Sequence, residues 1–131
     1  MKYFDTITNP ALVTLLLGGG VVCMPTDTVY GLVACADNAR AIAKLYELKT
    51  RQRKPGTLIA ANVTQLQQLG FAETELAIAE QYWPAPLSII LDATNVPEYL
   101  RADLSALAVR IPDHSELRQL LGWTGALMTT S

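Results

Sequence analysis

The stretch LYELKTRQRKPGTLIAAN, Leu45 to Asn62, passes from one kind of order to another. Its opening residues continue a helical pattern in which Ile42, Leu45, Tyr46 and Leu48 share a face, and the spacing predicts Tyr46 and Leu48 as core. Its close, TLIAA, is an apolar run of strand length. Between the two, Pro55 and Gly56 hold the chain as a loop. Lys49, Arg51, Arg53 and Lys54 crowd into that join, four of the ten Lys and Arg in a chain whose formal net charge is −2.

The same exchange of helix for strand runs along the chain on both sides. Asn9-Pro10 reads as an N-cap with Pro at the first helical position. Leu12, Leu15 and Leu16 then recur at helical spacing, and Gly18 to Gly20 stop the helix. Val21 to Met24 reads as a strand, PTDTVYG as a turn-rich loop, and Asp37 as the cap of the second helix. After TLIAA, Asn62 can cap a short helix containing Leu66 and Leu69. Glu73 to Trp83 reads as a helix ended by Pro84 and Pro86, with Trp83 to Pro86 forming a corner into the strand LSIIL. ALAVRI is a further strand, Ser115 to Leu121 a helix closed by Gly122, and ALMTT a last strand. Alternation of this kind argues for an α/β layered fold, a sheet buried by helices, with one domain in 131 residues. Ligands in such folds collect at loops beyond strand ends. Attention therefore falls on residues 25–31, 49–57, 110–114 and whatever follows 127.

Composition narrows the classes. Half the residues are hydrophobic and 17% are charged, which describes a chain with a buried core rather than a disordered one. The acidic balance gives no global attraction for nucleic acid, so any anion binding must be local. Cys23 and Cys35 lack metal-ligand spacing, and the single histidine, His114, cannot complete a zinc set. No metal-holding set of protein side chains is identified, and the two cysteines are expected as reduced, buried thiols. No secretory signal opens the chain, and its apolar runs are far shorter than a membrane span. The expectation is a soluble, cytoplasmic protein that does not engage membranes.

Two readings of the basic cluster stay open. Cations at a helix C-terminus meet the helix dipole favourably, which accounts for Lys49 and Arg51. Four cations in six residues repel one another, however, and a loop so charged suits a clamp for phosphates. RNA binding also fits the charge, though the cluster has no aromatic residues interleaved. GGGVV lacks the Lys-Ser/Thr of a phosphate-binding Walker loop. Arg110 ends an apolar run, where a charge is costly unless paired. A structural acid such as Asp113 or Asp27 would satisfy it, as would a ligand carboxylate. The hydroxyls in PTDTVYG suit either a ligand or local turn hydrogen bonds. His114 is expected in the loop that leads into the last helix.

PTDTVYGL (25–32), LYELKTRQRKP (45–55), WPAPLSIIL (83–91), LAVRIPDH (107–114) and LMTTS (127–131) together resemble the YrdC/TsaC family of threonylcarbamoyl-AMP synthases. The motifs stand in the family's order, from about Val21 to Ser131. The resemblance implies an open, twisted, mixed sheet with helices packed around it. It implies formation of threonylcarbamoyl-adenylate from L-threonine, bicarbonate and ATP with release of pyrophosphate, for the t6A modification at adenosine 37 of tRNA. ATP would enter with Mg²⁺ as a substrate complex, with no tightly bound cofactor, and downstream transfer enzymes would take the product. Lys49, Arg51 and Ser131 correspond to the family's catalytic set; together with Lys54 they would bind ATP phosphates. Thr26, Thr28, Tyr30, Arg110 and Thr129 would bind L-threonine, Arg110 through the carboxylate. The alternative is an RNA-binding module for tRNA or double-stranded RNA, or a paralogue with another substrate.

Two departures stand out. Ala85 occupies a position where the family commonly has Gly. The chain also ends at Ser131, where the family continues with Ala-Asn and further structure, so the domain reads as 1–131 and incomplete at its C-terminal end. From this follow the expectations of a weak or inactive 131-residue form, and of apolar surface near residues 87–91 and 126–130 driving self-association.

Overall fold

A computed structural model describes residues 2–48 and 56–130. Seven strands form one sheet: β1 (Lys2–Tyr3), β2 (Val22–Pro25), β3 (Tyr30–Cys35), β4 (Thr57–Ile59), β5 (Ile89–Asp92), β6 (Ala106–Arg110) and β7 (Leu127–Thr130). Among the described residues there are six α-helices: α1 (Pro10–Leu17), α2 (Ala39–Leu48), α3 (Val63–Leu69), α4 (Glu73–Ala79), α5 (Glu98–Arg101) and α6 (Ser115–Thr124). The strand order is β1-β2-β3-β7-β4-β6-β5. β1 with β2 and β4 with β6 run parallel; the other neighbours are antiparallel. This is an open mixed sheet of the expected class.

Strand alternation divides the core in two, because successive side chains point to opposite faces. Ala34, Leu58, Val109 and Met128 pack with Ile42 and Leu45 of α2, Leu66 of α3, Leu76 of α4 and Leu100 of α5. Val33, Cys35, Ile59 and Leu127 pack on the other face with Leu12 and Leu16 of α1 and Leu117, Leu120 and Leu121 of α6. Leu12 and Leu16, four apart, are fully buried, and burial of a leucine contributes about 1.5–3 kcal/mol. α1 begins where Asn9 Oδ1 accepts the Ala11 N–H at 3.0 Å. Asn62 caps α3 in the same way, accepting the Gln65 N–H at 3.0 Å.

Several boundaries differ from those expected. No strand is expected at Tyr30–Cys35, yet β3 pairs with β2 as a hairpin around a short turn, with Pro25 opposite Tyr30. Gly31 and the turn residues mask an apolar run too short to show a period. Neither β1 nor α5 is legible; they span two and four residues. The second helix is capped not by Asp37 but by Asn38, whose Oδ1 accepts the Ala41 N–H at 3.0 Å. Leu48 is 52% exposed rather than core, whereas Tyr46 packs against the core and donates its hydroxyl to the Leu100 carbonyl at 2.5 Å. The expected helix to Trp83 gives way after Ala79 to a 3₁₀ turn, Glu80–Tyr82, and Trp83 is extended, its indole N–H donating to Leu87 O at 2.8 Å.

α6 runs through Gly122, around which nothing crowds, and ends at Gly125, whose φ of 81° breaks the helix. His114 precedes it as N-cap: its Nδ1 accepts the Leu117 N–H at 3.1 Å. The strand Leu127–Thr130 is wholly buried, against the expectation of exposed apolar surface at 126–130. Leu87 and Ile90 are exposed, as expected for 87–91, while Leu91 is buried. Both cysteines are free, with Cys35 buried and Cys23 only half-buried. Among the described residues no helix is long and apolar enough to cross a membrane.

One buried and two half-buried acids link the fold to pH. Burial, helped by Asp37, pushes the Cys35 thiol up from 9.0 to about 11. Burial lifts Tyr46 to about 12, and burial with Asp37 also raises Tyr99. The unfolded chain therefore gives up these protons before the folded chain does. Stability is full below about pH 9 and falls as pH rises above it. Urea midpoints measured in reductant from pH 8 to 11 should hold to about pH 9 and fall above it, and Tyr46→Phe should flatten the upper part of that fall; a profile level to pH 11 would contradict the burial of these groups.

Candidate active site

Helices α1 and α6 cover only part of their face of the sheet. Gly31 lies two residues before Val33 on β3, Thr57 two before Ile59 on β4, and Thr129 two after Leu127 on β7, so all three share the α1/α6 face. Arg110 joins them, because it stands opposite Ile59 in the β4–β6 register. On the uncovered part of this face is a cavity of about 130 Å³, lined by Thr26, Thr28, Val29, Tyr30, Gly31, Thr57, Arg110 and Thr129. The fold thus brings together Thr26, Thr28, Tyr30, Arg110 and Thr129, drawn from three separate stretches of sequence. Lys49, Arg51, Lys54 and Ser131 lie outside the described residues. The basic segment rejoins the described chain at Gly56, next to Thr57, which pairs with Thr129 at the cavity wall.

The turn between β2 and β3 holds itself. Thr26 N and Oγ1 both donate to the Val29 carbonyl, at 3.1 and 2.7 Å, and Thr28 N donates to Thr26 Oγ1 at 3.3 Å. These are the local hydrogen bonds open to a threonine in a turn, and they engage the Thr26 hydroxyl proton. Tyr30 and Thr28 remain exposed at the rim. Gly31 is needed for close approach: a Cβ there would stand 2.5 Å from Thr129 Oγ1 and 2.9 Å from the Thr130 carbonyl. The Thr130 hydroxyl is buried without a partner among the described residues.

Arg110 supplies the charge. Its side chain is 7% exposed and is paired with the Asp27 carboxylate, 5% exposed, with Nη2 to Oδ1 at 2.9 Å. Nε adds contacts to Oδ1 at 3.2 Å and Oδ2 at 3.0 Å, and Nη1 donates to Ser88 Oγ at 3.0 Å. Of the two acids expected as structural partners, the observed one is Asp27, not Asp113. Ser88 has no charge, motif or period to mark it, so the sequence gives no signal for its part. Its position follows from strand register, since it stands one residue before Ile89, which is opposite Val109. Two larger, open depressions, of about 630 and 640 Å³, lie elsewhere, by Asn62 and Arg118 and by Lys2 and Lys44; their polar side chains are solvent-exposed. Among the described residues, no three His, Cys, Asp or Glu side chains converge in a metal-holding group.

Two substitutions test this geometry. Arg110→Met strands a buried carboxylate and should cost about 3–5 kcal/mol, while Arg110→Met combined with Asp27→Leu should recover most of the loss. A double-variant loss equal to the sum of the Arg110→Met and Asp27→Leu losses, read from urea unfolding, would show that the pair is not coupled. Gly31→Ala should cost about 1–3 kcal/mol through overpacking against Thr129; an unchanged urea midpoint would contradict the contact.

Comparison with known proteins gives the family and the fold. The family model Sua5_yciO_yrdC, described as "Telomere recombination", matches residues 14–131. A threonylcarbamoyl-AMP synthase of Marinobacter nauticus is 37% identical over 122 residues, covering 88% of this chain and 64% of that protein. The chain thus spans just under two thirds of that relative's length. A variant P. abyssi Sua5 superposes over 100% of this chain and 44% of its own, with a TM-score of 0.81 and 26% identity. P. abyssi Sua5 complexed with L-threonine covers 92% of this chain and 37% of its own, with a TM-score of 0.75 and 29% identity. Matched by its family's model over nearly its whole length, the chain belongs to the Sua5/YciO/YrdC family.

Proposed function

We propose that this chain carries the amino-acid site of a threonylcarbamoyl-AMP synthase. The reaction joins L-threonine, bicarbonate and ATP into threonylcarbamoyl-adenylate, with pyrophosphate and water as the other products. The adenylate then serves t6A formation at adenosine 37 of tRNA through downstream transfer enzymes in the cytoplasm.

The observation that carries this reading is Arg110, a cation 7% exposed at the wall of a cavity of about 130 Å³ otherwise lined mostly by hydroxyl-bearing residues. A guanidinium has five N–H donors in a fixed plane. Asp27 and Ser88 take three of them, leaving one on each terminal nitrogen. In this reading those two meet the L-threonine carboxylate, the Thr28 and Thr129 hydroxyls meet its polar groups, and Tyr30 closes the rim. Thr26 contributes as an acceptor, since its proton is held by Val29. The choice of threonine is supported by the M. nauticus relative's name and by the P. abyssi Sua5 complex with L-threonine.

Lys49, Arg51, Lys54 and Ser131 are proposed to take the ATP phosphates. Negative charge grows on the pyrophosphate as it leaves, and fixed cations stabilise that charge more in the transition state than before it. Magnesium enters as the counter-ion of ATP and shares this task. Arg110 holds the amino acid so that its nitrogen can meet the bicarbonate carbon, which lowers the barrier through orientation.

Calorimetric titration of the 131-residue chain with L-threonine, with L-alanine as control, tests the reading. Saturable heat is expected with L-threonine, about tenfold tighter than with L-alanine given a site built around the substrate hydroxyl. Mg-ATP should tighten it further, and Arg110→Lys should weaken it. A folded chain that treats the two amino acids alike would overturn the proposal. Binding of duplex RNA with a steep salt dependence, and none of threonine, would favour an RNA-binding module instead.

A further inference from the structure

Asp27 is not part of the cavity wall, yet it grips the charged group that is. It takes Arg110 side-on, through Nε and Nη2, while Ser88 takes Nη1. The backbone behind the guanidinium is also fixed. The Arg110 carbonyl accepts the Ala60 N–H at 3.1 Å, and the Ile111 carbonyl accepts the Ala85 N–H at 3.0 Å. A rigid plane held along one edge and at one corner, on an anchored strand, offers its remaining N–H groups in one direction only. The turn bearing Asp27 is secured separately by Thr26 and Val29. A change at Asp27 therefore reaches the cavity through Arg110.

We propose that Asp27 is a positioning residue, setting the direction in which Arg110 presents its remaining N–H donors to the cavity. The proposal rests on the reading of the cavity as an amino-acid site. Charge and orientation make opposite demands here. A carboxylate beside Arg110 lessens its attraction for a second carboxylate. If charge governed the site, removing the charge of Asp27 would tighten ligand binding, and moving it by one methylene would change little. If orientation governs, both changes weaken binding. The amide of Asp27→Asn keeps one acceptor but turns an N–H₂ toward a donor. Asp27→Glu keeps the charge but displaces the fork.

The test uses the ¹⁵N-labelled 131-residue chain as wild type, Asp27→Asn and Asp27→Glu, with the Arg110 Nε–H signal assigned through Arg110→Lys. Hydrogen exchange at Nε is expected to be slow in wild type and about tenfold faster in both variants, with backbone dispersion kept, and L-threonine affinity should fall about tenfold in both. Unchanged Nε exchange, or tighter threonine binding by Asp27→Asn, would overturn the proposal. If one variant fails to fold, the other decides, because each separates charge from orientation on its own. A wild-type chain that binds no L-threonine would remove the functional reading, while Nε exchange would still decide whether Asp27 fixes Arg110.

Discussion

The last strand of the chain is the one that makes the sheet continuous. β7 sits between β3 and β4, bonded antiparallel to both. On one side lie β1, β2 and β3; on the other lie β4, β6 and β5. Without β7 these are two separate three-stranded ribbons, each at the lower limit for independent stability. Its alternation also assigns the faces. Leu127 and Met128 enter opposite cores, and Thr129 then faces the stretch of sheet that α1 and α6 leave uncovered. The cavity exists because an apolar central strand turns polar at its end, beside a glycine on one neighbour and Thr57 on the other.

Placing a guanidinium on that face poses an electrostatic problem that the fold answers from far along the sequence. A buried charge is tolerated when paired and hydrogen-bonded, and is strongly destabilising when left alone. Arg110 finds its partner 83 residues away, on the hairpin turn before β3. The pairing neutralises the cation without consuming all its donors. Among the described residues, the cavity's cation is thus balanced by a carboxylate yet keeps directional hydrogen-bonding capacity, which favours a ligand matching it in shape as well as in charge.

How much of this could be read from the sequence depended on the length scale of each signal. Caps written in a single residue, such as Asn9 and Asn62, were legible, and so were strands with sustained apolar runs such as ALAVRI. Leu48 misled because its spacing matches the buried face while its turn of helix extends past the core. Gly122 misled because a glycine in open space neither requires nor forbids a helix end, whereas Gly125 adopts a φ that does. The clustering of Thr28, Tyr30, Arg110 and Thr129 came from motif resemblance, since no local pattern states that residues 28 and 129 are neighbours. The choice of Asp27 over Asp113 depends on a hairpin whose second strand is hidden by Gly31. Ser88 was out of reach, because its part is fixed by register alone.

The two margins of the sheet are unequal, and this bears on how copies of the chain meet in concentrated solution. β1 closes one side with two residues, too short to template a further strand. β5 closes the other with four, among them Ile90 at 68% exposure. An edge strand offers unpaired amide and carbonyl groups to any similar strand that approaches. Two features limit this one: prolines at 84 and 86, just upstream, cannot donate to such a pairing, and Asp92 places a charge at its far end. The opportunity for edge-to-edge association therefore narrows to Ile89–Leu91. Within it Ile90 is the residue that makes the margin adhesive, and a lysine there would turn it into a guarded one.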